Sequence, residues 1–149
     1  MLKVVGVGNR WRRDDAAGLL VAELLAQRGL AGVEVIEHEG EPLDLIDTCS
    51  GAQAVWLVDA ASSGAAPGSV HRFDASEREL PSSMFRVSTH RLGVGEALEL
   101  ARTLGRLPPR VTVYGIEGAR FDAGAELSPA VAAAARGVAA AIGEEVVAC

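Results

Sequence analysis

Three side chains far apart in the chain, Asp15, Asp59 and His90, have the types and settings for acid–base or metal-assisted chemistry. Asp15 is the second of two adjacent acids that follow Gly6-Val-Gly8-Asn9 and precede a helical pattern. Aspartate is a favoured N-cap, and acids in a first helical turn interact well with the helix dipole. That role accounts for Asp14; the second acid is less needed for capping and is free to point outward from the sheet edge. Asp59 closes the apolar run Ala54-Val-Trp-Leu-Val58. An acid ending a buried strand is costly unless it meets a donor or a cation, or turns the chain into the next loop. His90 stands in Ser88-Thr-His90-Arg91, just before a helix, where capping or packing also accounts for a lone histidine. If the strands ahead of Asp15 and Asp59 are parallel neighbours, both acids reach the crevice beyond the strands' carboxyl ends, where open α/β sheets bind ligands. A loop carrying His90 could reach over the same crevice. Two carboxylates and an imidazole would offer donors to a borderline divalent ion such as nickel or zinc, with positions left for water or substrate.

Other chemistries fit less well. A dinucleotide turn needs a third glycine three residues after the second, and Trp11 stands there. Asp14 and Asp15 would also repel a phosphate at the helix amino end. His38-Glu39-Gly40-Glu41-Pro42 is not a zinc-protease helix, since proline occupies the second histidine position, and the chain has no Gly-x-Ser-x-Gly elbow. His38 and His71 read as ordinary surface residues. Cys49 and Cys149 form no Cys-x-x-Cys pair or disulfide framework. They read as a small core residue and a terminal thiol, in keeping with a reducing compartment. Fourteen Lys and Arg against 20 Asp and Glu give a formal charge of −6 over 149 residues. That balance argues against nucleic-acid binding, although Arg10, Arg12 and Arg13 make a local basic spot around Trp11. No basic-then-apolar leader opens the sequence and no apolar run is long enough to span a bilayer. A cytoplasmic protein is expected.

The elements that must position these residues follow from periodicity. Leu2–Val7 is an opening strand ending in a tight turn. From Asp15, Ala17, Leu20, Val21, Leu24 and Leu25 recur at helical spacing, with Gly29 as a stop. Val33–Glu37 is a second strand, Pro42 to about Cys49 a helix, and Ala54–Asp59 a strand covered on both faces. The Gly/Pro/Ser-rich loop Ser62–Gly68 is too short for a crossover helix, so Val70–Phe73 should return antiparallel. After an irregular stretch from Ala75 to Thr89, a helix from about Arg91 presents Ala97, Leu100, Ala101 and Leu104. Arg110–Ile116 is the last strand. Ser128 caps and Pro129 opens a final helix with Val131, Ala135, Val138 and Ile142 on one side. Strands alternating with helices predict one α/β domain over residues 1–149. Its architecture is a three-layer α/β/α sandwich with a twisted, mostly parallel mixed sheet of about five strands.

Across nearly its whole length the sequence resembles the hydrogenase maturation protease family. The matching pieces are Gly6-Val-Gly8-Asn9 with Asp14-Asp15 and Gly18, Val58-Asp59-Ala60, Ser88-Thr-His90-Arg-Leu-Gly93, Tyr114-Gly-Ile-Glu117 and Leu127-Ser-Pro129, in that order. The resemblance implies an α/β/α fold and metal contacts at positions matching Asp15, Asp59 and His90, the first being Asp or Glu among members. It also implies an endopeptidase that cuts a C-terminal extension from a nickel–iron hydrogenase large subunit after nickel insertion. The nickel would come with the substrate rather than be held permanently, and Asp15 or Asp59 would take the proton in hydrolysis. The partner is then the large-subunit precursor, acted on by a monomer. Two positions depart from the family pattern. Ala16 replaces a common glycine, and Glu37-His-Glu-Gly-Glu-Pro42 replaces an Asp-Gly-Gly loop. The Gly-Glu-Pro form bears on which hydrogenase is processed; Glu41 could help hold substrate, and the arginines around Trp11 could dock it. Two rival readings stay open. One is a noncatalytic, nickel-dependent binding protein for the immature large subunit. The other is a peptidyl-tRNA hydrolase-like enzyme, which would want a histidine soon after the turn and a basic groove.

Overall fold

Apolar runs long enough for a strand, each followed by a helical period, build a sheet with helices on both faces. The structure, a computed structural model, describes residues 1–81, 84–85 and 93–149. The strands are β1 (Leu2–Val7), β2 (Val33–His38), β3 (Ala54–Ala61), β4 (Val70–Asp74) and β5 (Arg110–Glu117). They form one five-stranded sheet in the order β2-β1-β3-β5-β4. β1, β2, β3 and β5 run parallel, and β4 returns antiparallel on β5. The predicted mixed sheet is therefore present, with the short Ser62–Gly68 loop forcing the one reversal.

The helices are α1 (Ala17–Arg28), α2 (Pro42–Cys49), α3 (Val94–Thr103) and α4 (Pro129–Ala148). Side chains alternate across the strands and so feed two cores. Val4, Trp56, Val58, Tyr114 and Ile116 pack with Val21 and Leu25 of α1 and with Val138 and Ile142 of α4. Val5, Leu57, Val111 and Val113 pack with Leu45 of α2 and with Val94, Ala97 and Leu98 of α3. β3 is buried at every position, as expected of a central strand covered on both faces.

Two of the helix ends follow their chemistry and a third does not. Gly29 takes a left-handed φ of 60° at the end of α1. Pro42 opens α2, and the Glu41 carboxylate caps it by accepting the N–H groups of Leu43 and Asp44, so Glu41 serves its own helix. Ser128 sits at the N-cap position of α4, but its side chain makes no cap bond. In α3 the buried stripe is Val94, Ala97, Leu98 and Ala101. Leu104 instead lies past the helix end and is exposed.

The site depends on how closely α1 approaches the sheet. A Cβ on Gly18 would lie 2.3 Å from the Val58 carbonyl oxygen and 2.7 Å from that of Val7, and one on Gly6 would lie 2.1 Å from the Gly18 oxygen. Only glycine allows backbone to touch backbone there. We expect Gly18→Ala to lower stability by about 2 kcal/mol in urea unfolding, although alanine is the better helix former by roughly 1 kcal/mol. A stabilised variant would show that the helix is not seated on the strand ends.

Candidate active site

The carboxyl ends of the parallel strands place one row of residues across the sheet. Val7 pairs with His38, Asp59 with Gly115, and Gly115 with His71. Val7 follows the Gly6–Val58 pair, so it stands beside Asp59. Paired residues share a face, so His38, Asp59 and His71 all project from the α2–α3 side, each two strand spacings, or roughly 10 Å, from the next. Gly115 contributes no side chain, and the ring of Phe85 lies over it. Asp59 thus sits between a valine and a phenylalanine-covered glycine. It lies inside β3 rather than at its end, because the strand runs on to Ala61.

That setting explains its electrostatics. Burial pushes the Asp59 carboxyl well above its usual range, the negative charge of Asp15 pushes it further, and the N–H of Ala60 offsets only part of this. Oδ1 accepts that N–H at 2.8 Å. The two acids expected to meet at the sheet's lip are therefore close enough to oppose each other's charge. Asp15 is half-buried, in a short 3-10 turn (Arg13–Ala16) that lies against β3. Its Oδ2 accepts the Asn9 N–H at 3.1 Å, and its backbone rests on Gly8, where a Cβ would lie 2.1 Å from the Asp15 oxygen. The third expected member, His90, lies outside the described residues. Among the described residues no three His, Cys, Asp or Glu side chains are grouped to hold a metal ion. A cation between Asp15 and Asp59 would relieve the repulsion that raises Asp59, so the donor pair suits one.

Asp14 does not cap its own helix; neither the turn at Arg13 nor α1 carries a side-chain cap bond. The Asp14 carboxylate is fully buried and accepts from Ala119 N, Arg120 N, Ser128 N and Ser128 Oγ, at 2.8, 2.9, 2.7 and 2.8 Å. Burial acts to raise its carboxyl, but the donors from Ser128, Arg120 and Ala119 outweigh it and hold it below its ordinary value. Sequence reasoning missed these partners because they stand more than 100 residues away.

Glu117 was also missed as a separate acid, although it ends the apolar run of β5 as Asp59 nearly ends that of β3. It is buried. Oε1 accepts Ser63 N and Gly64 N, while Oε2 meets Ser63 Oγ and, at 3.2 Å, His71 Nε2. A carboxylate only accepts, so that nitrogen carries the proton. Burial acts to raise Glu117, but the Ser63, His71 and Gly64 donors outweigh it and leave it below its ordinary value. His71 is thus a partner of a buried acid. His38, also expected at the surface, is buried, with Nε2 2.7 Å from Asp44 Oδ2 and Nδ1 accepting Gly40 N–H at 2.8 Å. The pair fixes the Gly-Glu-Pro loop to α2. Cys49 is buried, and burial pushes its thiol up to about 11, in keeping with an inert core residue.

Beside Asp15 opens a groove of about 400 Å³ lined by Gly8, Asn9, Arg10, Trp11, Leu19 and Glu37 to Glu39. Trp11 stands at its mouth, 67% exposed. Arg10 reaches across to Glu37 at 2.7 Å. Arg12 and Arg13 turn the other way, to Phe121 O and to Asp122. The arginine cluster is thereby split, with one cation on the groove and two on the neighbouring loop.

A model of the hydrogenase maturation protease family matches residues 19–145. The chain is 28% identical over 134 residues to the hydrogenase 2 maturation protease of Escherichia coli K12, covering 87% of this chain and 80% of that one. It is 26% identical over 121 residues to the hydrogenase expression/formation protein HupD of Thiocapsa roseopersicina, covering 80% of this chain but spanning only 55% of that protein. The maturating endopeptidase HybD of E. coli superposes with a TM-score of 0.75 at 27% identity, over 97% of this chain and 93% of the other. HybD of Thermococcus kodakarensis, a nickel–iron hydrogenase maturation protease, gives 0.74 at 26%, over 97% of both.

The Glu117 network predicts an acid-sensitive increment of stability. Its folded-state pKa is depressed, so its contribution is present above the unfolded value near 4.3 and disappears as pH falls through the folded value. Glu117→Gln should cost about 1–2 kcal/mol at pH 7 in urea unfolding, with the gap from the parent narrowing as pH falls below that unfolded value. A gap that stayed constant over that range would show that Glu117 is not held ionised by its donors.

Proposed function

Because the chain belongs to the hydrogenase maturation protease family, we propose that it is the endopeptidase that removes the C-terminal extension of a nickel–iron hydrogenase large-subunit precursor once nickel is in place. The observation that carries this reading is the opposed acid pair at the carboxyl ends of β1 and β3, where Asp15 raises the already buried Asp59. Two carboxylates forced together in a half-dry crevice gain most from an incoming positive centre. With His90 they form the donor set that would meet the precursor's nickel. Such a set binds the ion weakly alone and gains affinity when the substrate's own ligands complete the coordination, so cleavage becomes conditional on metal loading. The nickel centre supplies Lewis-acid polarisation of the scissile carbonyl or of a water.

The chain's own residues do the rest. Ala60 N–H fixes Asp59 Oδ1, leaving Oδ2 to take the proton of the attacking water and pass it to the leaving amine. Asn9 N–H holds Asp15 Oδ2 and so fixes that carboxylate beside the reacting group. The groove by Trp11 and Arg10 takes the peptide flanking the scissile bond. Among the described residues no helix is long and apolar enough to cross a membrane. The family reading, by itself, is of a cytoplasmic monomer acting on the precursor.

Asp59→Asn should cut processing of nickel-loaded precursor by roughly 100-fold or more, read as the mass of the large subunit. Melting at pH 7 should be unchanged or higher, since the variant removes a buried charge that folding disfavours. Retained cleavage would remove Asp59 from the chemistry. Precursor that binds but is never shortened by the parent protein would favour a noncatalytic holding role. Trp11→Ala should raise KM about fivefold with kcat kept; an unchanged KM would free the groove of any part in docking.

A further inference from the structure

We propose that Asp14 is a positioning residue for its neighbour Asp15, clamping the turn that carries Asp15 to the loop 118–128 and to the amino end of α4. The proposal rests on the reading that Asp15 works in the site. The first half of the turn, and the residues leading into it, are tied to that loop. Arg13 N donates to Gly124 O at 2.9 Å, Gly124 N to Trp11 O at 2.9 Å, and Asp14 N to Arg120 O at 3.0 Å. The Asp14 carboxylate closes the clamp with its bonds to Ala119, Arg120 and Ser128. A Cβ on Gly118 would lie 2.9 Å from Asp14 Cβ, so the Asp14 side chain packs directly on the start of that loop.

The clamp holds the turn in a conformation it would not choose. Arg13 has a φ of 46°, the only non-glycine residue at positive φ among those described. Such a residue persists only where its surroundings over-determine it. Immediately after it, Asp14 turns one way into the protein and Asp15 the other way to the lip, where Asn9 N–H meets Oδ2. A freed Asp14 would let the turn relax, and Asp15 would move with it. Rates are sensitive to shifts of this kind, since a misplacement of about 1 Å can lower them roughly 100-fold.

The clamp also explains the two unusual helix ends. Ser128 gives its hydroxyl to Asp14 instead of capping α4, and Asp14 gives its carboxylate to α4 instead of capping the helix it precedes. Each residue serves the other's element, which welds the first helix to the last.

The test uses the full chain with Asp14→Asn, Ser128→Ala and, separately, Asp15→Asn. An amide at Asp14 turns an NH2 toward N–H donors, so at least one bond is lost; Ser128→Ala removes only the hydroxyl donor. In folded variants the amide resonance of Asn9, which reports the Asp15 carboxylate, should move while amides at the centre of β3 do not. Processing of nickel-loaded precursor should show kcat lowered roughly 10- to 100-fold for Asp14→Asn and about 3- to 10-fold for Ser128→Ala, with KM little changed. Ser128→Ala decides the matter if Asp14→Asn fails to fold. An unmoved Asn9 resonance with unchanged kcat in Ser128→Ala, or a loss carried by KM, overturns the clamp. Asp15→Asn that still cleaves at the parent rate removes the reading of Asp15 as a working acid, while the Asn9 resonance still decides whether Asp14 sets its position.

Discussion

The site depends on backbone touching backbone where α1 crosses the ends of β1 and β3. Gly18 lies against the carbonyl oxygens of Val7 and Val58, and Gly6 against Gly18. With any side chain at these points the helix would ride higher on the sheet. Because the helix is seated so low, the turn that opens it comes down beside β3, and Asp15 meets Asp59. A packing constraint made of absent atoms thus creates an electrostatic one. Without that approach, neither acid would oppose the other's charge.

The fully buried acids of the fold can be sorted by what meets them. Asp14 and Glu117 are each surrounded by N–H and O–H donors, and both carboxyls sit below their ordinary values. Desolvation is more than offset there, and the charge ties loops together. Among the described residues Asp59 receives one N–H, from its neighbour in sequence, and burial together with the negative charge of Asp15 raises its carboxyl instead. An acid ringed by donors is held ionised, whereas one with few donors and a like charge beside it is raised. By that criterion Asp59 separates from Asp14 and Glu117, although all three lie at the same end of the sheet.

Much of this was legible in the sequence. β3 announced itself by a continuous apolar run, β4 by its alternation after a loop too short to cross over, and α4 by Ser-Pro and a regular stripe. The approach of Asp15 to Asp59 followed from two strands being parallel neighbours. What could not be read were partnerships over long distances. The bonds of Asp14 span 105 to 114 positions, and local chemistry offers any acid before a helix a simpler role as a cap. His38 was misjudged for a related reason. β2 is an edge strand whose exposure alternates imperfectly, and the burial of its last residue is set by Asp44 and Gly40 folding back over it. In α3 two stripes share Ala97 and Ala101, and only the helix ending at Thr103 decides between Leu98 and Leu104.

The opening strand, turn and helix have the plan of a nucleotide-binding unit, yet the chemistry at the turn is inverted. In that unit a third glycine lets the helix amino end approach a pyrophosphate, and the dipole draws the anion in. Here the third position is Trp11, and a 3-10 turn bearing Asp14 and Asp15 fills the place of the anion. One acid is consumed by donors from across the molecule. The other is turned to the lip beside Asp59, so the crevice presents negative charge where the nucleotide unit presents N–H groups. The arginines nearby do not cancel it. Arg10 is paired with Glu37, Arg13 with Asp122, and Arg12 with a carbonyl. A crevice of that sign repels phosphates and attracts cations, and this selects among ligands before any residue makes contact. The same topology can therefore carry opposite charge at its crevice, and the residues at the mouth of the turn decide which.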